Sequence, residues 1–217
     1  MFPHYLACPE NGRHPGVLVL HSWWGLNVFF RSFCDRLADA GFVVLAPDLF
    51  DGQVARTEAD AKQLRKQATA RRREPAYKML IRAIEYLRAH PSVSHSRIGV
   101  AGFSMGGHWA LWLSQRPDLP IAATVVFYAS RDGDYRQSQS KFAFHLAQED
   151  PWVSSASLQK MKLSLERAGR SASYCTYPGT GHWFMEGDRS EAFEADAAAL
   201  AWERTVAFLR QGLGGEK

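Results

Sequence analysis

The feature of the sequence that most restricts its fold is a regular alternation between short apolar runs and longer segments of helical period. The apolar runs are continuous rather than interrupted by polar residues, which is typical of strands that are covered on both faces. Such strands, when helices separate them, form a mostly parallel sheet with helices on both faces. The sequence therefore predicts an α/β protein. Six strands are predicted: Gly16–His21, Phe42–Ala46, Arg97–Ala101, Ile121–Tyr128, Lys141–Ala147 and Ser171–Tyr177.

Five helices are predicted between and after these strands, and a glycine or a proline directly follows four of them. Asp188 is expected to cap the last helix, with Glu191 three residues further on. The segments Asp51–Pro75 and Ser130–Ser140 show no clear periodicity and are predicted to be loosely packed. A single domain over residues 1–217, without a large cap domain, is expected. The predicted helices are Phe29–Ala40, Ala76–His90, Ser104–Arg116, Ser154–Ala168 and Ser190–Arg210.

The composition excludes several classes of protein. Hydrophobic residues make up 46% of the 217 residues and charged residues 22%, a balance typical of globular rather than disordered chains. No apolar run approaches the ~20 residues of a membrane span, and no secretory signal is recognisable, so we expect a cytoplasmic protein without a membrane partner. The three cysteines, Cys8, Cys34 and Cys175, are widely spaced, which argues against a disulfide framework and a structural zinc site. A monomer or small homo-oligomer is expected.

The formal net charge of +4 is concentrated in one segment. Between Arg56 and Arg73 there are seven basic residues against two acidic ones. None of the common nucleic-acid-binding signatures accompanies this segment, so no nucleic-acid partner is expected. The simplest interpretation is a solvated helix face, and the alternative is an anion-attracting rim near a substrate entrance.

The motif that indicates chemistry is Gly102-Phe103-Ser104-Met105-Gly106-Gly107, which lies between a predicted strand and a predicted helix. In a G-x-S-x-G turn the serine adopts a strained conformation that lifts its hydroxyl clear of the sheet. Side chains at Gly102 and Gly106 would collide with that turn. The motif therefore predicts that Ser104 is a nucleophile.

A serine nucleophile needs a base and a group that orients the base. His182 follows the last predicted strand in a glycine-rich loop, whereas the other seven histidines lie in strand, helix or surface-like segments. Asp150 follows the preceding strand, so the chain order Ser, Asp, His is that of a G-x-S-x-G hydrolase. Glu149 and Asp132 are alternative acids.

The oxyanion formed during attack needs backbone N–H donors. The residue after the nucleophile, Met105, is one candidate, and Trp23 in the loop after the first predicted strand is the other. Four of the seven tryptophans lie within two residues of these positions, which predicts a pocket with aromatic walls. Besides Trp23 they are Trp24, Trp152 and Trp183, which are assigned to the substrate pocket.

Five segments resemble, in order and over almost the whole chain, the dienelactone hydrolase family of α/β-hydrolases. They are LVLHSWWGLN, GFVVLAPDLFDG, GFSMGG, QEDPWV and YPGTGHWF. The resemblance implies an enzyme that cleaves an ester-like bond without a metal or an organic cofactor. The family's triad positions are matched by Ser104, Asp150 and His182, and the resemblance also supports Trp23 and Met105 as amide donors.

The chain departs from the family at two positions. The family carries a cysteine nucleophile, where this chain has Ser104, and a glutamate in the oxyanion loop, where this chain has Ser22. A thiol can rest as the protonated partner of that carboxylate, but an alkoxide is too basic to be preformed. Ser104 must therefore pass its proton to His182 during attack.

The expected reaction is hydrolysis of an ester or lactone of a small, partly aromatic substrate through an acyl-enzyme. Thioester cleavage or acyl transfer by the same residues is the first alternative, and a binding protein without turnover is the second. The arginine by which the family holds a substrate carboxylate has two candidate matches, Arg71–Arg73 and Arg131.

Overall fold

The centre of the protein is a seven-stranded sheet, in a computed structural model that describes residues 2–70, 76–94 and 96–214. The spatial order is β1-β3-β2-β4-β5-β6-β7, and every pairing is parallel except that of β1 with β3. The mostly parallel sheet predicted from the sequence is thus confirmed. The strands are β1 (His4–Ala7), β2 (Gly16–Leu20), β3 (Val43–Pro47), β4 (Ile98–Phe103), β5 (Ile121–Phe127), β6 (Lys141–Glu149) and β7 (Ala172–Gly181).

Helices cover both faces of the sheet. Residues of α1 and α6 share one apolar cluster with alternate residues of β2 to β6, while α2 to α5 pack on the opposite face. The alternation follows from the two-residue repeat of a strand, which turns successive side chains to opposite faces. Within the described residues no cap domain is added to this core. The helices are α1 (Val28–Asp39), α2 (Glu58–Ala70), α3 (Ala76–Ala89), α4 (Met105–Ser114), α5 (Ser155–Arg167) and α6 (Ala195–Leu213).

None of the five predicted helices covers α2, which occupies residues 58–70 of the segment Asp51–Pro75; residues 71–75 lie outside the described residues. Thr57 caps the helix: its Oγ1 accepts from the Asp60 N–H, and Asp60 accepts from the Thr57 N–H. This reciprocal pair is a capping box, a signal that the sequence carried. The helix buries only Ala61 and Leu64 among its fully described side chains, so its apolar periodicity is weak.

The prediction that the last helix begins at Ser190 is wrong. α6 begins at Ala195, with Glu194 as its N-cap, and residues 190–192 form a turn. Asp188 does not cap the helix, because its carboxylate accepts from the Asn27 side chain. The Glu194 N–H donates to the Phe184 carbonyl, which ties this segment to the residues after β7.

The short strand β1 was not predicted, since four residues give too little periodicity to recognise. It pairs antiparallel at the edge of the sheet, with Tyr5 opposite Ala46.

The strands β2, β4, β5, β6 and β7 run parallel, so their carboxyl ends lie on the same side of the sheet. The segments that follow these five strands leave the sheet on that side. Ligand sites of open parallel sheets lie at the carboxyl ends of the strands. No helix in the described part of the chain is long and apolar enough to cross a membrane.

Candidate active site

Ser104 sits at a sharp turn between β4 and α4, as the motif predicts. Its backbone φ is 50° and ψ is −112°, outside the regions that side chains usually adopt. A Cβ atom at Gly102 would lie 2.3 Å from the Gly106 carbonyl oxygen, and one at Gly106 would lie 2.1 Å from the Leu20 carbonyl oxygen. Both glycines are therefore required by the close approach of backbone to backbone.

His182 lies at the end of β7 and reaches both of its expected partners. Its Nε2 is 2.8 Å from the Ser104 Oγ, and its Nδ1 is 2.8 Å from each carboxylate oxygen of Asp150. A carboxylate accepts hydrogen bonds, so Nδ1 carries the proton and Nε2 is left to accept from the serine hydroxyl. The imidazole is only 5% exposed, which shields both hydrogen bonds from water.

Asp150 is fixed by its own loop. Its Oδ1 accepts from the backbone N–H groups of Trp152 and Val153, at 2.9 and 3.1 Å. These bonds orient the carboxylate toward His182. The alternative acids are elsewhere: Glu149 is exposed, and the Asp132 carboxylate accepts from Ser164 Oγ at 2.6 Å. Of the three acids considered, the structure brings only Asp150 to the imidazole.

The loop after β2 holds the Ser22–Trp23 peptide in one orientation. The Leu49 N–H donates to His21 Nε2, so the proton of this buried imidazole is on Nδ1, which donates to the Ser22 carbonyl at 2.6 Å. Burial lowers the pKa of His21 and keeps the ring neutral. The Gly25 N–H reaches the same carbonyl at 3.2 Å. In a planar trans peptide the N–H points opposite to the C=O, so the Trp23 N–H points away from His21.

The second expected donor, Met105, is the first residue of α4. The N–H groups of the first helical turn have no partner inside the helix, and the helix dipole adds partial positive charge there. Within the described residues, neither the Met105 nor the Trp23 N–H has a hydrogen-bond partner. Both amides are therefore available to an oxyanion.

A cavity of about 620 Å³ opens beside Ser104 and His182. Trp23, Trp152 and Trp183 line it, as expected from their positions in the sequence. Their rings contact one another, with centroids 4.9 Å apart for Trp23 and Trp152 and 5.7 Å for Trp152 and Trp183. Trp24 is not part of the wall, because it lies behind Trp23 and Trp183 with only 3% of its surface exposed.

Further polar side chains also line this cavity. Arg65 of α2, His108 of α4 and Ser130 after β5 line it. The Arg131 guanidinium donates to His108 Nε2, and burial together with this cation lowers the pKa of His108. Arg131 therefore contacts a wall residue without lining the cavity itself, and Arg71–Arg73 lie outside the described residues.

The structure reveals one functional candidate that the sequence reasoning missed. Glu186 is fully buried, and its carboxyl oxygens accept from Tyr128 Oη at 2.8 Å and from Ser22 Oγ at 2.9 Å. Burial raises the pKa of Glu186 to about 8, against the lowering effect of these two hydrogen bonds. The Tyr128 ring packs on His182 with centroids 4.8 Å apart. No residue pattern in the sequence joins Glu186 to Ser22, which lies 164 positions earlier.

The parallel sheet with helices on both faces and a serine at a strained strand-to-helix turn define an α/β-hydrolase. Comparison with known proteins narrows this class. The family model of the dienelactone hydrolase family matches residues 2–213, and the chain belongs to this family.

Several relatives support the assignment. A protein from Bradyrhizobium sp named "Probable 2-oxo-3-(5-oxofuran-2-ylidene)propanoate lactonase" is 30% identical, over 98% of this chain and 90% of its own. The carboxymethylenebutenolidase of Pseudomonas putida is 27% identical, over 96% of this chain and 90% of its own. A crystal structure of a dienelactone hydrolase-like promiscuous phosphotriesterase from metagenomic libraries superposes with a TM-score of 0.83 at 24% identity, covering 94% of this chain and 89% of the other. The protein is an enzyme that hydrolyses carboxylic esters or lactones.

Proposed function

We propose that the protein hydrolyses an ester or lactone of a small, partly aromatic substrate through a serine acyl-enzyme. The observation that carries this proposal is the chain of hydrogen bonds from Asp150 through His182 to Ser104. Ser104 and His182 line a cavity large enough for a small organic molecule. Each of the three groups has the partner that its role requires.

In the first half of the reaction Ser104 Oγ attacks the substrate carbonyl while His182 Nε2 takes the hydroxyl proton. The tetrahedral intermediate collapses, and the imidazolium gives that proton to the leaving oxygen, so an acyl-serine remains. For a lactone the leaving oxygen stays attached to the acyl group. Asp150 holds the Nδ1 proton and stabilises the positive charge that forms on the ring.

In the second half a water molecule attacks the acyl-serine. His182 Nε2 now removes a proton from the water and returns it to Ser104 as the ester bond breaks, which releases the acid and restores the enzyme. In both halves the negative charge develops on the former carbonyl oxygen. The N–H groups of Trp23 and Met105 are the donors for this oxygen, and they are most useful in the transition state because they are fixed before it forms.

The lining of the cavity favours an apolar, partly aromatic substrate. Phe50, Tyr77 and Trp109 add to the three tryptophans of the wall. Flat rings pack well against such walls by offset or edge-to-face contacts. Arg65, His108 and Ser130 are polar lining residues that would set the orientation of a substrate in this pocket.

The proposal is tested with p-nitrophenyl esters of increasing chain length, with aromatic lactones and thioesters beside them. Ser104→Ala should reduce hydrolysis by at least about 10³-fold without unfolding the protein, because only the nucleophile is lost. Ser164→Ala, which removes an exposed serine hydroxyl on α5, is the matched control and should retain full activity. A phosphonofluoridate should label Ser104. Wild-type rates in the Ser104→Ala variant, or labelling at another serine, would contradict the proposal.

A further inference from the structure

Glu186 forms a buried link between two parts of the active site. One carboxyl oxygen contacts Ser22, which directly precedes the oxyanion donor Trp23, and the other contacts Tyr128, which lies at the carboxyl end of β5. All three polar side chains are buried: Ser22 and Glu186 are fully inaccessible and Tyr128 is 1% exposed. Glu186 touches neither the cavity nor the Ser104–His182 pair.

We propose that Glu186 is a positioning residue, which holds the oxyanion loop through Ser22 so that the Trp23 N–H is aimed at the developing oxyanion. The inference rests on the serine hydrolase mechanism proposed above. In this role Glu186 stabilises the transition state through its neighbour Ser22 and does not contact the substrate.

The backbone geometry of the loop supports this role. The Ser22 carbonyl is held by His21 and Gly25, which fixes one end of the peptide that carries the Trp23 N–H. The Ser22 side chain is held separately: its Oγ donates to Glu186 and accepts from the Trp24 N–H at 3.5 Å. With both its carbonyl and its side chain anchored, Ser22 cannot rotate about its backbone without breaking a buried hydrogen bond. Without the side-chain anchor the Trp23 N–H is held only through the Ser22 carbonyl, so its direction is less tightly fixed.

The choice of a carboxyl group also follows from the surroundings. Two buried hydroxyl groups converge on this point, and a carboxyl group can satisfy both with its two oxygens. An apolar side chain of the same length would leave both hydroxyl groups without this partner, which is unfavourable in a buried site. The nearby charged groups lie on the same segment: Asp188 raises the pKa of Glu186 and Arg189 lowers it. The Arg189 guanidinium stacks on Trp24, 4.2 Å from the ring centre.

The test compares steady-state kinetics of five variants with the wild type on one p-nitrophenyl ester. Glu186→Met removes both hydrogen bonds of the carboxyl group. Ser22→Ala removes its bond to the loop, together with the 3.5 Å bond that Ser22 Oγ accepts from the Trp24 N–H. Each should lower kcat by about 10- to 100-fold and leave KM within about threefold, because an oxyanion donor acts mainly in the transition state and its complete loss lowers kcat by about 10²–10³. Glu186→Gln supplies one donor and one acceptor to the same hydroxyl groups and should restore kcat to within about threefold of wild type.

The double variant Ser22→Ala/Glu186→Met separates the proposed route from general damage. If Glu186 acts through Ser22, the double variant should lose no more kcat than the worse single variant, since both remove the same link. Thr205→Val is the matched control, because it deletes another buried hydroxyl that bonds to two partners, in α6 and β6, and Thr205 does not line the cavity. It should lower stability without changing kcat.

Two results would overturn the inference. Wild-type kcat in Ser22→Ala would do so even if Glu186→Met failed to fold, because a small side chain replaces a small one there. Losses that multiply in the double variant would show that Glu186 acts by another route. Either result leaves the proposed function intact as long as Ser104→Ala is inactive, whereas an active Ser104→Ala would remove the basis of both.

Discussion

Glu186 should make the stability of the protein fall as the pH rises, which is opposite to the behaviour of a typical carboxylate. Burial raises the pKa of Glu186 from 4.5 to about 8, so the folded protein keeps a proton that the unfolded chain loses near pH 4.5. Between these values the native state binds more protons than the unfolded state. The free energy of unfolding therefore decreases by about 1.4 kcal/mol per pH unit from this group alone.

The contribution of Glu186 to this pH dependence of stability can be isolated with Glu186→Gln, which has the same shape but cannot ionise. From pH 5 to pH 9 the wild type should lose about 4 kcal/mol of stability relative to this variant, with most of the change below pH 8. Urea unfolding at five pH values, followed by tryptophan fluorescence, measures the difference, and all other titrating groups cancel because both proteins share them.

The control is Glu203→Gln, which removes a carboxylate from the exposed side of α6. Its stability should run parallel to that of the wild type over the same range. If the difference between wild type and Glu186→Gln were also constant from pH 5 to pH 9, Glu186 would be ionised in the folded protein throughout. The reasoning from burial would then be refuted.

Three further predictions concern the proposed catalytic residues and the turn that carries Ser104. Asp150→Asn should lower kcat by about 10³–10⁴ by favouring the wrong tautomer of His182, and Glu149→Gln should change kcat little, as steady-state assays will show. Gly106→Ala should lower the free energy of unfolding by at least about 2 kcal/mol in urea titrations, because its Cβ would lie 2.1 Å from a backbone oxygen. Iodoacetamide should leave ester hydrolysis intact, since the proposed nucleophile is Ser104; rapid inactivation would contradict this assignment.

The sequence predicted the parts of the fold that local patterns encode. Continuous apolar runs predicted β2 through β6, because strands buried on both faces need apolar residues at nearly every position. The last strand, β7, lies at the end of the sheet and buries only Tyr177 and Thr180. The errors fall where the local pattern is weak. The helix α2 buries few of its residues, and the capping pair of Thr57 and Asp60 was the only strong sign of its start.

The same division applies to the candidate site. The turn around Ser104 can be predicted from the sequence, because backbone crowding within a few residues requires glycine at both Gly102 and Gly106. The positions of Asp150 and His182 follow from chain order and from the common edge at which parallel strands end. Trp24 was assigned to the pocket by its nearness in sequence, but adjacent residues of a loop point in different directions, and only Trp23 reaches the cavity.

What the sequence determined by itself is therefore what short spacing can specify: the turn that carries Ser104, and the chain order of the proposed nucleophile, acid and base. The tertiary structure alone decided which buried groups meet. Ser22 and Glu186 are 164 positions apart and share no motif, yet the end of β2 and the segment after β7 bring them to 2.9 Å. Burial then alters the carboxyl group, because the loss of water disfavours its charged form. Neither the contact nor the dielectric environment is a property of any local stretch of chain.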